Sequence, residues 1–213
     1  MHAPFALWIT DVLKPRSFVE LGTFSGTSYC AFCEAVKELK LSTQCFAVDT
    51  WLGDSQSLFY GEEILKNLKE HHDPLYSDFS RLIRKDFDSA LGDFQDRTID
   101  LLHIDGFHTY EAVKHDFETW LPKVSDRGVV LFHDTQVRGR DFGVWRFWDE
   151  VRQNYPHAEL LHGHGLGILI VGQNAPSEIR EVIASVSNSD EATLTFRNFF
   201  EHLGTACLLQ VKL

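Results

Sequence analysis

The stretch Val19-Glu20-Leu21-Gly22-Thr23-Phe24-Ser25-Gly26-Thr27-Ser28 decides how the rest of the chain is read. An apolar run carries an acid, a glycine-bearing loop follows, and a helix-forming segment opens at Thr27 or Ser28. Strand, tight glycine turn and helix N-terminus, in that order, are the first unit of an α/β nucleotide-binding fold. The glycines permit positive φ and let a ligand approach the backbone closely. A dinucleotide site wants G-x-G-x-x-G. Counted from Gly22, those positions hold Gly22, Phe24 and Thr27, and Phe24 stands where a pyrophosphate needs bare backbone. The stretch reads E-x-G-x-x-x-G instead, with no lysine for a phosphate loop. It favours an adenosine ligand lacking a pyrophosphate, with S-adenosylmethionine the candidate, over a dinucleotide or a purely structural turn.

Outward from that loop, strand and helix signals alternate. Residues 1–14 read as a short helix closed by Pro15, 17–21 as the first strand, and 27–39 as the next helix. Residues 45–48 form a second strand ending at Asp49, about one βαβ repeat beyond Gly22. An acid there can accept hydrogen bonds from both ribose hydroxyls of an adenosine, or cap a helix. Thr50 and Trp51 lead into a polar, aromatic loop that ends near Gly61. A helix over 62–72 is ended by Pro74. Residues 79–85 are the third strand, after which Asp86 and Phe87 either frame an adenine or begin a helix. Residues 99–104 are a fourth strand ending in Asp105-Gly106-Phe107-His108. A helix over 111–121 carries Val113, Phe117 and Trp120 at helical spacing. Residues 128–132 are the fifth strand, ending in His133-Asp134-Thr135, and 143–155 form a helix with an aromatic core stripe.

Two closing strands, 158–161 and 166–171, are joined by His162-Gly163-His164-Gly165, a turn short enough to make them antiparallel. Its histidines either touch a substrate or sit in a surface turn. Helices are expected over 177–186 and 191–203, with the last ten residues a short strand or a docking tail. The fold class is therefore α/β: a doubly wound, mostly parallel seven-stranded sheet with an antiparallel last strand. Residues 1–175 form the ligand-binding domain, and 176–213 a helical appendage packed on it. Such sheets bind ligands at the carboxyl ends of their strands. Glu20, Asp49, Asp105 and Asp134 all stand at or near such ends, so four acids are expected to converge on one cleft.

Composition narrows the classes of partner. The 213 residues suit one domain with a small appendage, and 44% hydrophobic residues can fill its core. Twenty Lys and Arg against 31 Asp and Glu give a net charge of -11, poorly suited to nucleic acid and compatible with a cationic sulfonium. The four cysteines are too few for a disulfide scaffold, and Cys30 and Cys33 read as a small apolar helix face. Reduced thiols point to the cytoplasm. No segment has the length of a membrane span, and the apolar start lacks the basic residues and cleavage site of a signal peptide.

These residues resemble class I S-adenosylmethionine-dependent methyltransferases, and in particular a branch found beside bacterial glycosyltransferases. The likeness is carried by Val19-Glu20-Leu21-Gly22-Thr23, Asp49-Thr50-Trp51 with Gly53-Asp54, and Leu101-Leu102-His103-Ile104-Asp105-Gly106. His108-Thr109-Tyr110, Trp120-Leu121-Pro122-Lys123, Phe132-His133-Asp134-Thr135, Phe142-Gly143-Val144-Trp145 and His164-Gly165-Leu166-Gly167 add to it. The resemblance implies a Rossmann-like methyltransferase fold. It also implies a cofactor layout with Gly22, Thr23, Gly26 and Thr27 around the methionine part and Glu20 beneath them. Asp49, Thr50 and Trp51 would stand at the ribose, and Asp86 and Phe87 at the adenine.

A second likeness, to metal-dependent O-methyltransferases of the catechol type and to those that methylate macrolide sugars, concerns the reacting centre. It implies a divalent metal, Mg or Mn, held by Asp105, Asp134 and His133, with His108 as the base. Thr135 stands where the catechol-type pattern has Asn. The implied activity is O-methylation of a hydroxyl on a sugar or glycan-linked small molecule, in the cytoplasm. A glycosyltransferase neighbour or a homo-oligomer are the implied partners. The alternatives are a catalytically weak cofactor-binding module serving that glycosyltransferase, and a metal-dependent hydroxylase on the same fold.

Overall fold

The structure, a computed structural model, describes residues 1–54, 58–59 and 61–210. In chain order it contains α1 (Ala3–Leu13), β1 (Ser17–Leu21), α2 (Thr27–Glu38), β2 (Gln44–Asp49), and the two-residue strands β3 (Gly53–Asp54) and β4 (Leu58–Phe59). There follow α3 (Glu62–Tyr76), β5 (Ser80–Arg84), α4 (Phe87–Ala90), β6 (Ile99–Ile104), α5 (Tyr110–Trp120) and β7 (Val124–His133). The chain continues through α6 (Val144–Val151), β8 (His157–Leu160), β9 (Leu166–Ile170), α7 (Ser177–Asn188) and α8 (Asp190–Gln210).

Seven strands form one sheet in the order β5-β2-β1-β6-β7-β9-β8. The contacts from β5 across to β7 are parallel, and β9 runs antiparallel to both of its neighbours. The expected doubly wound sheet with an antiparallel last strand is what forms. The central strand β6, Ile99-Asp100-Leu101-Leu102-His103-Ile104, is buried along its whole length, as a strand covered on both faces must be. The two-residue period sorts its side chains. Leu101 joins the core under α1 and α2, and Leu102 the core under α5 and α6.

Helices α1, α2, α3, α7 and α8 cover one face of the sheet, and α4, α5 and α6 the other. Ile179, Ile183, Phe196 and Phe200 of α7 and α8 share one core with Phe5 and Ile9 of α1. Cys30 and Cys33 are free, Cys33 buried against the sheet, as the apolar-face reading expects.

Two local expectations are corrected. Pro74 does not end α3, which runs on to Tyr76. Leu65, Leu68, His72 and Tyr76 continue one buried stripe, and His72 Nε2 lies 2.7 Å from Ser80 Oγ. Pro74 sits exposed in the last turn, where it removes one intrahelical hydrogen bond that the burial of Tyr76 outweighs. The chain end is also neither strand nor tail through Gln210, because α8 continues to that residue; residues 211–213 lie outside the described residues. Part of the aromatic loop expected to wall the pocket, residues 55–57 and 60, lies outside them as well. Among the described residues no helix is long and apolar enough to cross a membrane.

Candidate functional site

The parallel strands end along one edge of the sheet, where the loops after β1, β2, β5, β6 and β7 enclose a cavity of about 670 Å³. Gly22, Thr23, Thr27, Asp49, Thr50, Asp86, Phe87, Asp105, His108, His133, Asp134 and His164 line it, with Phe24, Ser25, Ser28, Gly53, Gly106 and Phe107.

The glycine loop is shaped by a close approach. Gly22 has φ +87°, and a Cβ there would stand 2.1 Å from the carbonyl oxygen of Asp105. Only glycine lets the β1 and β6 loops meet so closely. The Asp105 N–H donates to the Leu21 carbonyl at 2.8 Å and completes the contact.

Asp49 binds the same loop from the other side. Its Oδ2 accepts from the Thr23 and Phe24 N–H groups at 2.9 and 2.8 Å, and its Oδ1 accepts from the Trp51 N–H at 2.7 Å. The acid at the tip of β2 thus fixes the loop while it faces the cavity. Asp86 is similarly engaged as the N-cap of α4, its oxygens accepting from the Ser89 N–H at 2.8 Å and the Ser89 hydroxyl at 2.7 Å. Phe87 follows it into the cavity wall.

Three residues assigned to the cofactor lie off the cavity. Glu20 points to the opposite side from Val19 and Leu21, by the period of the strand, and is fully buried under α2 with Oε2 2.8 Å from His103 Nδ1. Burial pushes the Glu20 carboxyl up, and the contact with His103 only partly opposes it. The expected convergence therefore holds for Asp49, Asp105 and Asp134, while Glu20 stays behind the wall. Gly26, with φ +80°, opens α2 and faces the Leu68 side chain. Trp51 is wholly buried, and its indole N–H donates to the Phe24 carbonyl at 2.9 Å, so it braces the glycine loop from below.

The polar pole of the cavity gathers two acids and three imidazoles. His108 Nε2 lies 3.1 Å from Asp134 Oδ2 and 3.5 Å from Asp105 Oδ1. His133 Nδ1 lies 3.1 Å from Asp105 Oδ1 and 3.2 Å from Asp134 Oδ1, and His164 Nδ1 3.5 Å from Asp134 Oδ1. Asp105, His108 and Asp134 each offer one ligand atom, all within 4.8 Å of one another. Asp134 Oδ1 is buried and makes no hydrogen bond among the described residues. Asp134 itself holds φ +62°, an uncommon conformation for a residue with a side chain.

Burial alone would raise the Asp105 carboxyl. The charge of His133 and the hydrogen bonds from His108 and His133 outweigh it and hold Asp105 well below the usual carboxylate range. Burial likewise disfavours a charged His133, and Asp105 and Asp134 overcome it, keeping this imidazole well above its ordinary value.

Two features of this pole escaped the sequence. Phe142 stacks on the His108 ring at 4.6 Å and 6°, and the Gly143 N–H donates to the His108 carbonyl at 2.7 Å. No spacing rule links residues so far apart. The histidine turn divides: His164 joins the site, while His162 is buried against His2, with ring centroids 4.7 Å apart.

Residues 19–135, more than half of the chain, match the family model of a methyltransferase domain. An uncharacterized protein of Sinorhizobium fredii, y4gI, is 50% identical over 188 residues, which are 88% of this chain and 20% of that protein. The chain thus spans about a fifth of the length of this curated relative. The Podospora anserina methyltransferase PaMTH1, solved with bound S-adenosylhomocysteine, superposes with a TM-score of 0.61 at 15% identity, covering 79% of this chain and 77% of that one. TomG, the Streptomyces achromogenes O-methyltransferase involved in tomaymycin synthesis, solved with S-adenosylmethionine, gives 0.59 at 12% identity, covering 80% and 79%. The fold is that of class I S-adenosylmethionine-dependent methyltransferases, and the chain belongs to the methyltransferase domain family.

Proposed function

We propose that this chain transfers the methyl group of S-adenosylmethionine to a hydroxyl oxygen of a sugar or glycan-linked small molecule. The observation that carries this reading is the meeting of Asp105, His108 and Asp134 at one pole of a cavity whose remaining wall is the glycine loop and the tips of β2 and β5. In this reading Gly22, Thr23 and Thr27 face the methionine part, with Glu20 and Gly26 behind them. Asp49 and Thr50 stand at the ribose, braced by Trp51, and Phe87 stands at the adenine beside Asp86.

A neutral hydroxyl is a poor nucleophile toward a sulfonium carbon. His108, held flat by Phe142, takes the hydroxyl proton. Asp105 and Asp134 accommodate the positive charge this creates, and the cavity wall holds the oxygen in line with the methyl carbon. The oxygen–carbon bond forms as the carbon–sulfur bond breaks, and the electron pair stays on sulfur.

The same cluster also fits a divalent cation. Two carboxylates and an imidazole form an oxygen-rich donor set, and the buried Asp134 Oδ1 still lacks a hydrogen bond. Asp105 and Asp134 would hold it together with His133, the ligand implied by the sequence resemblance, which lies against both carboxylates, and His108 keeps the part of the base. Bound there, a cation would lower the pKa of the acceptor hydroxyl.

Calorimetry with S-adenosylhomocysteine tests the cofactor reading, which fails if millimolar ligand gives no heat of binding. His108→Ala is expected to lower turnover by about 10²-fold or more with little loss of cofactor affinity. Chelator treatment, with Mg or Mn added back, reads the cation's part; unchanged turnover after chelation leaves His108 as the sole activating group. The fourfold excess of sequence outside the matched part of y4gI supports a unit that works beside other domains, and the sequence resemblance makes a glycosyltransferase the partner to try first.

A further inference from the structure

The end of α8 leaves the body of the molecule. Gly204 is buried where a Cβ would lie 2.3 Å from the Met1 carbonyl oxygen. The residues after it, Thr205 to Leu209, are all exposed, and Ala206, Cys207, Leu208 and Leu209 are apolar. Such a helix end gains nothing from packing within the chain, the usual source of helical stability. The first half of the same helix has the opposite defect, an unfilled groove. Trp8 of α1, Val182 and Val186 of α7, and Ala192, Phe196 and Phe199 of α8 line a space of about 500 Å³. Among the described residues Glu191 is the single charge on its walls.

The two halves share one pattern. Ala192, Phe196, Phe199, Leu203 and Ala206 follow at intervals of four, three, four and three residues, the seam spacing of paired helices. Phe196 is covered by the chain itself, but Phe199 and Leu203 are 55% and 40% exposed. No charged residue stands in the seam, and interface cores are depleted in charge.

We propose that α8 pairs antiparallel with α8 of a second copy of this chain about a twofold axis. Each helix end lies in the groove of the other copy, so Phe199 meets Leu203 and Phe196 meets Ala206, large against small. A foreign helix could fill the groove, but it would leave residues 205–209 bare; a twofold copy fills both grooves and covers both ends at once. The 21-residue α8 is roughly 31 Å long, and half the surface of such a helix is on the order of 600 Å². With the groove walls, each copy approaches the roughly 800 Å² a side of a stable interface. The pairing is independent of the cofactor reading.

Sedimentation equilibrium of the full chain tests it, and a dimer is expected at about 10 µM. Phe199→Glu and Leu203→Lys, both at exposed positions, should each weaken association by about 100-fold or more while keeping the helical circular-dichroism signal. Where either fails to fold, Ala206→Glu, beyond the body of the chain, serves in its place. An equimolar mixture of Phe199→Glu and Leu203→Lys re-forms the dimer, because antiparallel pairing sets the new carboxylate against the new ammonium. A wild type still monomeric at about 100 µM overturns the proposal and leaves the groove to another occupant. A dimer that the variants leave intact overturns it too, and so does a mixture that stays monomeric.

Discussion

At Gly22 one hydrogen atom stands where any other residue would drive a carbon into the Asp105 carbonyl. Gly22→Ala combines a positive φ with a backbone overlap that no side chain can relieve. It is expected to lose about 3 kcal/mol or more of stability and all measurable cofactor binding, read by thermal melts and calorimetry. A wild-type melting temperature would show that the two loops can part without cost. Asp116, buried on the inner stripe of α5, yields a second prediction, on ligand-free protein. Its ordinary value is 3.8, and burial raises it to about 7, with His115 and Asp88 the neighbouring charges. Between those values the folded chain binds more protons than the unfolded one, so stability falls as pH rises through that window. The loss is complete above pH 7, at up to about 4 kcal/mol. Asp116→Asn, which cannot ionise, should melt higher than wild type at pH 8 and converge with it near pH 4. Parallel curves for the two proteins would remove the buried charge from the account. The acid was visible in the sequence at a core position of the Val113–Phe117–Trp120 stripe, but periodicity tells only that the position is inward. It does not tell that Gly106 and Phe87 wait beyond it. Glu20 shows the reverse limit: its place at the end of the strand was legible, while the strand's period turns it away from the cavity to meet His103 of β6.

Elements were more legible than their ends. The runs that became β1 and β6 were bounded as they stand because apolar residues stop abruptly at Gly22 and Asp105. The end of α3 was misjudged because Pro74 is a local signal, and burial of Tyr76, whose hydroxyl donates to Glu34 at 2.8 Å, is not. The opposite end of the sheet is tied by a residue that carries no motif. Asp100 of β6 is fully buried and takes the Arg16 backbone N–H at 2.8 Å and two guanidinium N–H bonds at 2.9 and 2.8 Å. The Ser125 hydroxyl donates to it as well, so the start of β1, the body of β6 and the start of β7 meet on one carboxylate. Burial would raise the Asp100 carboxyl, and these donors together hold it below its ordinary value. Asp100→Ala should cost about 3 kcal/mol in urea unfolding, through orphaned donors more than through lost attraction to the exposed Arg16. An unchanged midpoint would mean that the strands hold their register without it.

Over the whole molecule, the net charge of -11 and the cavity chemistry point the same way. Asp49, Asp86, Asp105 and Asp134 line the cavity, and among the described residues no Lys or Arg lines it. Topology made this possible: parallel strands brought acids distant in sequence to one edge, which alternating strand and helix signals foretold. His108 and His133 were already legible beside Asp105 and Asp134 from the resemblance. His164 was left open between substrate contact and surface turn, because it arrives through the antiparallel β8–β9 turn, and nothing in the sequence told that Phe142 stacks on His108 from a loop. The resulting field distinguishes the two forms of the cofactor. S-adenosylmethionine carries a sulfonium charge that S-adenosylhomocysteine has lost, so attraction should speed entry of the first and leave the second nearly untouched. Raising salt from about 20 mM to about 500 mM shortens the reach of that attraction from roughly 20 Å to roughly 4 Å. Stopped-flow association should then show S-adenosylmethionine slowed by about threefold, with the association rate of S-adenosylhomocysteine changed little. Equal salt slopes for the two ligands would mean that the imidazoles beside Asp105 and Asp134 neutralise the pole before any ligand arrives, leaving the acidic surface without a part in capture.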